Sequence, residues 1–197
     1  MMRTLVIFVH SDVNNTSIAN RHIINRLKTA DGVEIRDLYQ LYPDFSINVE
    51  AEQQAILNAD VVLFQYPFHW YNVPGMLKEW IDRVFVRGFA YGSGRKLEGK
   101  TLLVSTTIGG PEESYQTGGT NTFTVQEFLK PFEQMAKFTG MIFNTPIVSH
   151  SMVCLPDREN TKKEIVQRAA EHGESIISQL NDLSLQYARV SLHLSRP

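Results

Sequence analysis

Three stretches of this sequence combine residue types that can do chemistry, and each follows an apolar, strand-forming run. The first, His10-Ser11-Asp12-Val13-Asn14-Asn15-Thr16-Ser17-Ile18-Ala19-Asn20, is rich in hydroxyls and amides and leads into a helical pattern. It suits a phosphate. A helix N-terminus offers unpaired N–H donors and a dipole worth roughly 0.3–1 kcal/mol to an anion. Thr16, Ser17 and Asn20 add side-chain donors, and His10 can supply positive charge or a further donor. An ordinary helix cap at Asn15, Thr16 or Ser17 explains the same composition equally well.

The second stretch, Gln65-Tyr66-Pro67-Phe68-His69-Trp70-Tyr71-Asn72-Val73-Pro74-Gly75, sets four aromatics and a histidine within its first seven residues. Pro67, Phe68, Trp70 and Tyr71 can stack a flat heteroaromatic ring, with backbone N–H groups at its polar edge. The alternative is that Trp70 and Tyr71 fill core space beneath the next helix, Trp70 being the better core candidate. The third stretch is Thr106-Thr107-Ile108-Gly109-Gly110-Pro111-Glu112-Glu113-Ser114-Tyr115. Its paired glycines allow close backbone approach to a ligand or a positive φ, and an ordinary turn is the competing reading. No G-x-G-x-x-G follows the first apolar run, and no G-x-x-x-x-G-K-[ST] occurs. A phosphate loop without glycines but rich in hydroxyls points to a flavin mononucleotide site rather than a dinucleotide or P-loop site.

These loops need a scaffold, and alternating β-rich and amphipathic segments supply one. Strands are expected over 4–10, 33–38, 60–65, 101–107 and 141–149, most of them continuous apolar runs buried on both faces. Val73, Met76, Leu77, Trp80, Ile81 and Val84 recur at helical spacing behind Pro74, with Lys78, Glu79, Asp82 and Arg83 opposite. Ala19, Ile23, Leu27 and Ala30 mark a helix after the first strand, and Ile165, Ala169, Ile176 and Leu180 a last helix beginning near Asp157, weakened by Gly173. Pro131 predicts a kink or late start in a helix over 125–139, and Gly140 its stop. Residues 183–197 show no firm period and are expected either to pack on a partner subunit or to be mobile. Five βα units with right-handed crossovers give an α/β fold: a doubly wound five-stranded parallel sheet of order 2-1-3-4-5, helices on both faces, one domain over 1–197. Its ligand crevice lies at the carboxyl ends of strands one, three and four, where the three loops stand.

Composition narrows the function classes. Nineteen basic and 21 acidic side chains leave a net charge of −2, which lacks the electrostatic footprint of a nucleic-acid binder. Cys154 is the only cysteine, so neither an intramolecular disulfide nor a cysteine-rich zinc site is available, and a reducing cytoplasmic setting is the default. Burial statistics favour an inert core role for Cys154 over a redox-sensitive thiol. No run approaches the roughly 18–20 apolar residues of a membrane span, so any membrane association is expected through a partner.

Taken together, His10 with Ser17 and Asn20, the block W-Y-x-V-P-x-x-L-K-x-W-I-D-R-V-F over 70–85, and 106–110 resemble the NAD(P)H:quinone oxidoreductase branch of the flavodoxin-like superfamily. The similarity runs from the first strand to about Pro156. Phe89-Ala90-Tyr91-Gly92 is also similar to the bacterial ancillary flavoproteins of glutathione-regulated potassium efflux. The resemblance implies that His10, Ser17, Ile18 and Asn20 surround a flavin phosphate. Pro67, Phe68, Trp70 and Tyr71 would line the ring, and Thr107, Gly109, Gly110 and Tyr115 would meet its polar edge. It further implies FMN or FAD as cofactor, FMN being favoured, and a homodimer with the site at the subunit interface. The implied activity is ping-pong, two-electron transfer from NAD(P)H to quinones or other planar acceptors. Tyr115, Gly109 and Gly110 would be the catalytic set, stabilising negative charge on the flavin. Some relatives carry a histidine six positions after the tyrosine; this sequence has Asn121, which donates a hydrogen bond but does not titrate. A regulatory subunit of a potassium efflux antiporter is the second reading. A one-electron carrier ranks last, since such proteins need a strongly charged docking surface.

Overall fold

The computed structural model describes residues 1–154 and 160–194. In chain order its elements are β1 (Thr4–Phe8), α1 (Val13–Thr16), α2 (Ile18–Leu27), β2 (Val33–Asp37), α3 (Leu38–Leu41), α4 (Val49–Leu57), β3 (Val61–Pro67) and α5 (Gly75–Val84). There follow β4 (Thr101–Thr107), a 3-10 turn at Glu112–Ser114, α6 (Val125–Phe128), α7 (Lys130–Thr139), β5 (Ile142–Phe143), β6 (Ile147–Ser149) and α8 (Lys162–Leu194).

Every residue of β1, β3 and β4 is buried, which is why these strands are apolar without alternation. All strand pairs are parallel and the order is β2-β1-β3-β4-β5, with β6 also on β4, as the doubly wound pattern requires. Side-chain alternation sends Leu5, Ile7, Val62, Phe64, Leu102 and Val104 to one face. There they meet Ile56 of α4, Leu77 and Trp80 of α5, and Phe132 of α7. Val6, Phe8, Leu63 and Leu103 go to the other, against Ile23 and Leu27 of α2 and Ile165, Ala169 and Ile176 of α8. Each such large apolar side chain contributes roughly 1.5–3 kcal/mol by leaving water.

The expected strand over 141–149 is two strands. β4 pairs Thr101 with Ile142 but Ser105 with Ile147, so the offset grows from 142 − 101 = 41 to 147 − 105 = 42. One extra residue is accommodated beside Pro146, which has no N–H for the ladder. The insertion switches which face the following residues present, and Ser149 and His150 take their positions from it. Pro131 acts as expected, separating α6 from α7 and sitting in the first turn of the latter, and Gly140 caps α7 at φ 77°.

The Asp157 start expected for the last helix lies outside the described residues; α8 is helical from Lys162 and runs through Gly173 to Leu194. A Cβ at Gly173 would stand 3.3 Å from the Arg26 side chain, so glycine is what lets α2 and α8 approach. The segment from 183 is therefore helical up to Leu194, and Tyr187 Oη lies 3.2 Å from both Thr101 Oγ1 and the Asp60 carbonyl. Among the described residues, no helix is long and apolar enough to cross a membrane.

Candidate active site

A cavity of about 700 Å³ opens at the carboxyl ends of β1, β3 and β4, and the three loops line it. One end gathers hydrogen-bond donors and cationic side chains. Ser17 caps α2, its Oγ accepting from the Asn20 N–H at 3.0 Å, so the first turn of the helix faces the cavity with Thr16, Ser17 and Ile18. Arg21 and Lys162 add cationic side chains to the same wall. His10 lies alongside, its Nδ1 accepting from the Asp12 N–H at 3.1 Å. Burial, and secondarily His69, lower the His10 pKa, so the ring is neutral and offers an Nε2–H donor rather than a charge.

The other end is mostly apolar. Pro67, Phe68, His69, Ile108 and Gly109 form it, and the Phe68 N–H donates to the Thr107 carbonyl at 2.9 Å, tying the β3 loop to the end of β4. Burial also lowers the His69 pKa. Residues 69–72 close on themselves, with N–H to carbonyl bonds in both directions between His69 and Asn72 at 3.0 and 2.9 Å. Trp70 (φ 47°) and Tyr71 (φ 63°) occupy its centre in the left-handed region, where bulky residues are strained and Asn-Gly is the usual choice. Trp70 is 91% exposed. Tyr71 stacks on Phe128 at 5.2 Å, and its hydroxyl donates to Asn121 Oδ1 at 3.1 Å.

A second cavity, also about 700 Å³, lies beside the first and is lined by Tyr115, His150, Glu112, Glu113, Arg168 and His172 among others. The Tyr115 ring sits 5.4 Å from His150 and 6.2 Å from Phe68, so Phe68 touches the surroundings of both spaces. A row of buried polar side chains also joins the two cavities. Asn20 bonds Ser17 and Thr107, Gln65 bonds Asn20, Ser105 bonds Gln65, and His172 bonds Ser105 on one side and Ser149 on the other.

A family model described as the flavodoxin-like fold matches residues 2–173. The chain belongs to this flavodoxin-like family. The uncharacterized NAD(P)H oxidoreductase YrkL of Bacillus subtilis is 40% identical over 171 residues, 86% of this flavodoxin-like chain and 94% of YrkL. The glutathione-regulated potassium-efflux system ancillary protein KefF of an Enterobacter species is 39% identical over 169 residues, 85% of this chain and 91% of KefF. Among solved structures, the general stress protein 14 of Treponema denticola in complex with FMN is 29% identical at a TM-score of 0.82, over 92% of this chain and 99% of that one. An NADPH-quinone reductase of P. pentosaceus is 26% identical at a TM-score of 0.73, over 87% of this chain and 98% of that one.

Within this flavodoxin-like frame, the sequence-derived residues divide. His10, Ser17, Ile18, Asn20, Pro67, Phe68, Thr107 and Gly109 line one cavity together. Tyr115 lines the other, and Trp70, Tyr71 and Gly110 line neither. Trp70 as a core residue is overturned by its exposure: the tight turn at 69–72 throws the ring outward. The helix-cap and phosphate readings of Ser17 are compatible, because its Oγ caps while its proton remains uncommitted. Neither Gly109 nor Gly110 takes a positive φ. Space explains them instead: a Cβ would stand 3.0 Å from Val153 Cγ1 at Gly109 and 3.1 Å from the Tyr115 ring at Gly110. Cys154 is exposed and lines the first cavity, which overturns its inert-core reading. Asn121 accepts from Tyr71 and donates to Ser114 Oγ at 2.8 Å, so it pins the 112–114 turn to the aromatic turn rather than titrating.

Arg21, His69, Lys162, Gln65, Ser105, His150 and His172 were assigned no role from sequence. Arg21 reads as a solvated helix face and Lys162 is remote in the chain. For Gln65 and Ser105 a signal existed, since a polar residue inside a wholly buried strand must find a partner.

Proposed function

We propose that the first cavity holds the phosphate and ring of FMN and that the chain is an NAD(P)H:quinone oxidoreductase. One observation carries this reading: at the carboxyl ends of β1, β3 and β4, a helix N-terminus with the uncommitted Ser17 hydroxyl proton and a mostly apolar, glycine-bearing slot open into one space. The donor set fits the group, with hydroxyls, cations and helix N–H groups for a dianion at one end and Pro67 and Phe68 for a planar ring at the other. FMN is favoured over FAD because the Treponema denticola protein is solved with FMN. The NAD(P)H and quinone assignments draw on YrkL and on the P. pentosaceus reductase.

The bound flavin would supply two-electron redox chemistry between a nicotinamide and a quinone. The protein's part is placement. Ser17, Arg21, Lys162 and the Nε2–H of His10 would hold the phosphate, while Phe68 and Pro67 would fix the plane in which rings lie. The Gly109 N–H, at the wall of the cavity, would face the ring's polar edge where negative charge gathers, with Gly110 and Tyr115 standing beyond that wall. The 69–72 turn, carrying Trp70 and Tyr71, walls the acceptor side. Two copies of the chain, meeting over this exposed aromatic turn, would complete the slot.

The test is anaerobic. Protein loaded with FMN is given NADPH or NADH, then a quinone, while flavin absorbance is followed. Bleaching by the nucleotide and recovery with the quinone are expected; flavin that neither nucleotide reduces overturns the reading. The similarity to KefF supports a second role beside catalysis, as an ancillary subunit of a potassium-efflux system. Turnover raised by an added antiporter of that class would separate the two.

A further inference from the structure

Asn20, Gln65, Ser105 and His172 are each at most 2% exposed, so their hydrogen bonds must be satisfied within the row. With the Asn20 and Gln65 amides oriented as they are, capacity fixes direction. Asn20 turns Nδ2 toward Ser17 Oγ at 3.1 Å and Thr107 Oγ1 at 3.0 Å, and its Oδ1 accepts from Gln65 Nε2 at 3.0 Å. Gln65 Oε1 accepts the Ser105 hydroxyl proton at 2.6 Å. A serine has one proton, so Ser105 Oγ can only accept from His172, whose Nε2 lies 2.7 Å away and must carry hydrogen. His172 Nδ1 is then bare and accepts from Ser149 Oγ at 2.7 Å. The row donates one way, from Ser149 through His172, Ser105, Gln65 and Asn20 to Ser17 and Thr107.

At the cavity end the consequence is chemical. Ser17 Oγ accepts from both the backbone N–H and the Nδ2 of Asn20, so what it has left to offer is its proton. Thr107 Oγ1 also accepts from Asn20 and lines the same cavity. Reversing the row would flip both amides, move the ring proton to Nδ1 and turn oxygen lone pairs toward the cavity, which repels an anion. Each bond polarises the next, so the two ends are coupled through the buried interior.

We propose that His172 is a positioning residue: its Nε2–H tautomer orients the buried row so that the Ser17 and Thr107 hydroxyls donate into the cavity, which selects a phosphate monoester over the same ligand without phosphate. The inference rests on the cavity holding the flavin phosphate. Desolvation keeps the ring uncharged by lowering its pKa to about 4, so the arrangement persists at neutral pH.

The tautomer is read directly on wild-type protein, saturated with FMN, from histidine ring nitrogen shifts in two-bond proton–nitrogen spectra. Nε2–H on His172 is expected; Nδ1–H or a charged ring overturns the inference. Flavin fluorescence titrations with FMN and riboflavin supply the second readout. Ser105→Ala cuts the row, and it should weaken FMN binding about fivefold while changing riboflavin binding by less than about twofold. His172→Gln, which can donate and accept in the same two directions, should keep most of the FMN preference. Equal weakening of both ligands in Ser105→Ala indicates a packing role and overturns the inference, leaving the phosphate reading intact. Equal affinity of wild type for FMN and riboflavin overturns the phosphate reading itself, and this inference with it.

Discussion

Ser17 performs two tasks with one hydroxyl, capping α2 through its oxygen and facing the cavity with its proton. Ser17→Asp separates them. Aspartate is an equally good cap, so the helix and the fold should persist, but a carboxylate would then face the phosphate. FMN affinity should fall at least about tenfold while riboflavin affinity is little changed; full FMN retention would place the phosphate elsewhere. A second residue-scale prediction concerns His172, whose ring pKa burial holds at about 4 against an ordinary 6.5. Its folded-state pKa is the lower one, so between these values the unfolded chain binds the proton and the native one does not. Stability therefore drops as pH falls from about 6.5 to about 4, by up to about 3 kcal/mol from this residue, with no further change below. Burial pulls His10, His69 and His150 the same way, so wild type alone cannot isolate the share. Urea unfolding across that window should show a shallower pH slope in His172→Gln than in wild type, and equal slopes would mean that His172 is not held neutral.

At the scale of elements, local sequence decided most of what is seen. Continuous apolar runs located β1, β3 and β4, and the spacing of Met76, Leu77, Trp80 and Val84 located α5, because a buried strand and an amphipathic helix each impose their own period. Where sequence reading went astray, the deciding contacts were distant. The split of 141–149 depends on the register against β4, and the extent of α8 on packing against α2 across a span that includes Gly173. The turn at 69–72 defied local rules outright, since nothing in Trp-Tyr announces two left-handed residues. Gly140 illustrates the legible kind. It ends α7 at φ 77° and its carbonyl accepts from the Gly99 N–H at 2.9 Å, joining the helix to the chain ahead of β4. Gly140→Ala must force an L side chain into that conformation, with its Cβ 3.2 Å from Arg95 and Glu98. A loss of about 1–2 kcal/mol is expected, seen as a lower urea midpoint at unchanged slope. FMN affinity should hold, because α7 ends away from the cavity; a matching loss of flavin would show that the two are coupled.

Across the whole molecule, the site is assembled from residues as far apart as His10 and His172, and only its loop portions announced themselves. The buried row was illegible as a row: Gln65 and Ser105 announce only that each needs a partner, and which partners they find appears only when α2, β3, β4, β6 and α8 are stacked. The surface poses the complementary question. With a net charge of −2 there is little for a charged partner to grip, yet Trp70 is 91% and Phe123 53% exposed, flanking the Tyr71–Phe128 stack. Such a patch next to a cavity mouth is expected to be covered by a second copy of the chain, through apolar burial rather than ion pairs. Light scattering should then give twice 22.5 kDa, and raising the salt should leave the mass unchanged, since screening weakens only charge-held contacts. Trp70→Ser combined with Phe123→Ser should give a folded monomer that still binds FMN through its phosphate end but turns quinone over slowly, because the acceptor slot has lost its wall. A double variant that stays dimeric with full turnover would mean that the two copies meet elsewhere and that the aromatic turn serves the acceptor of a single chain.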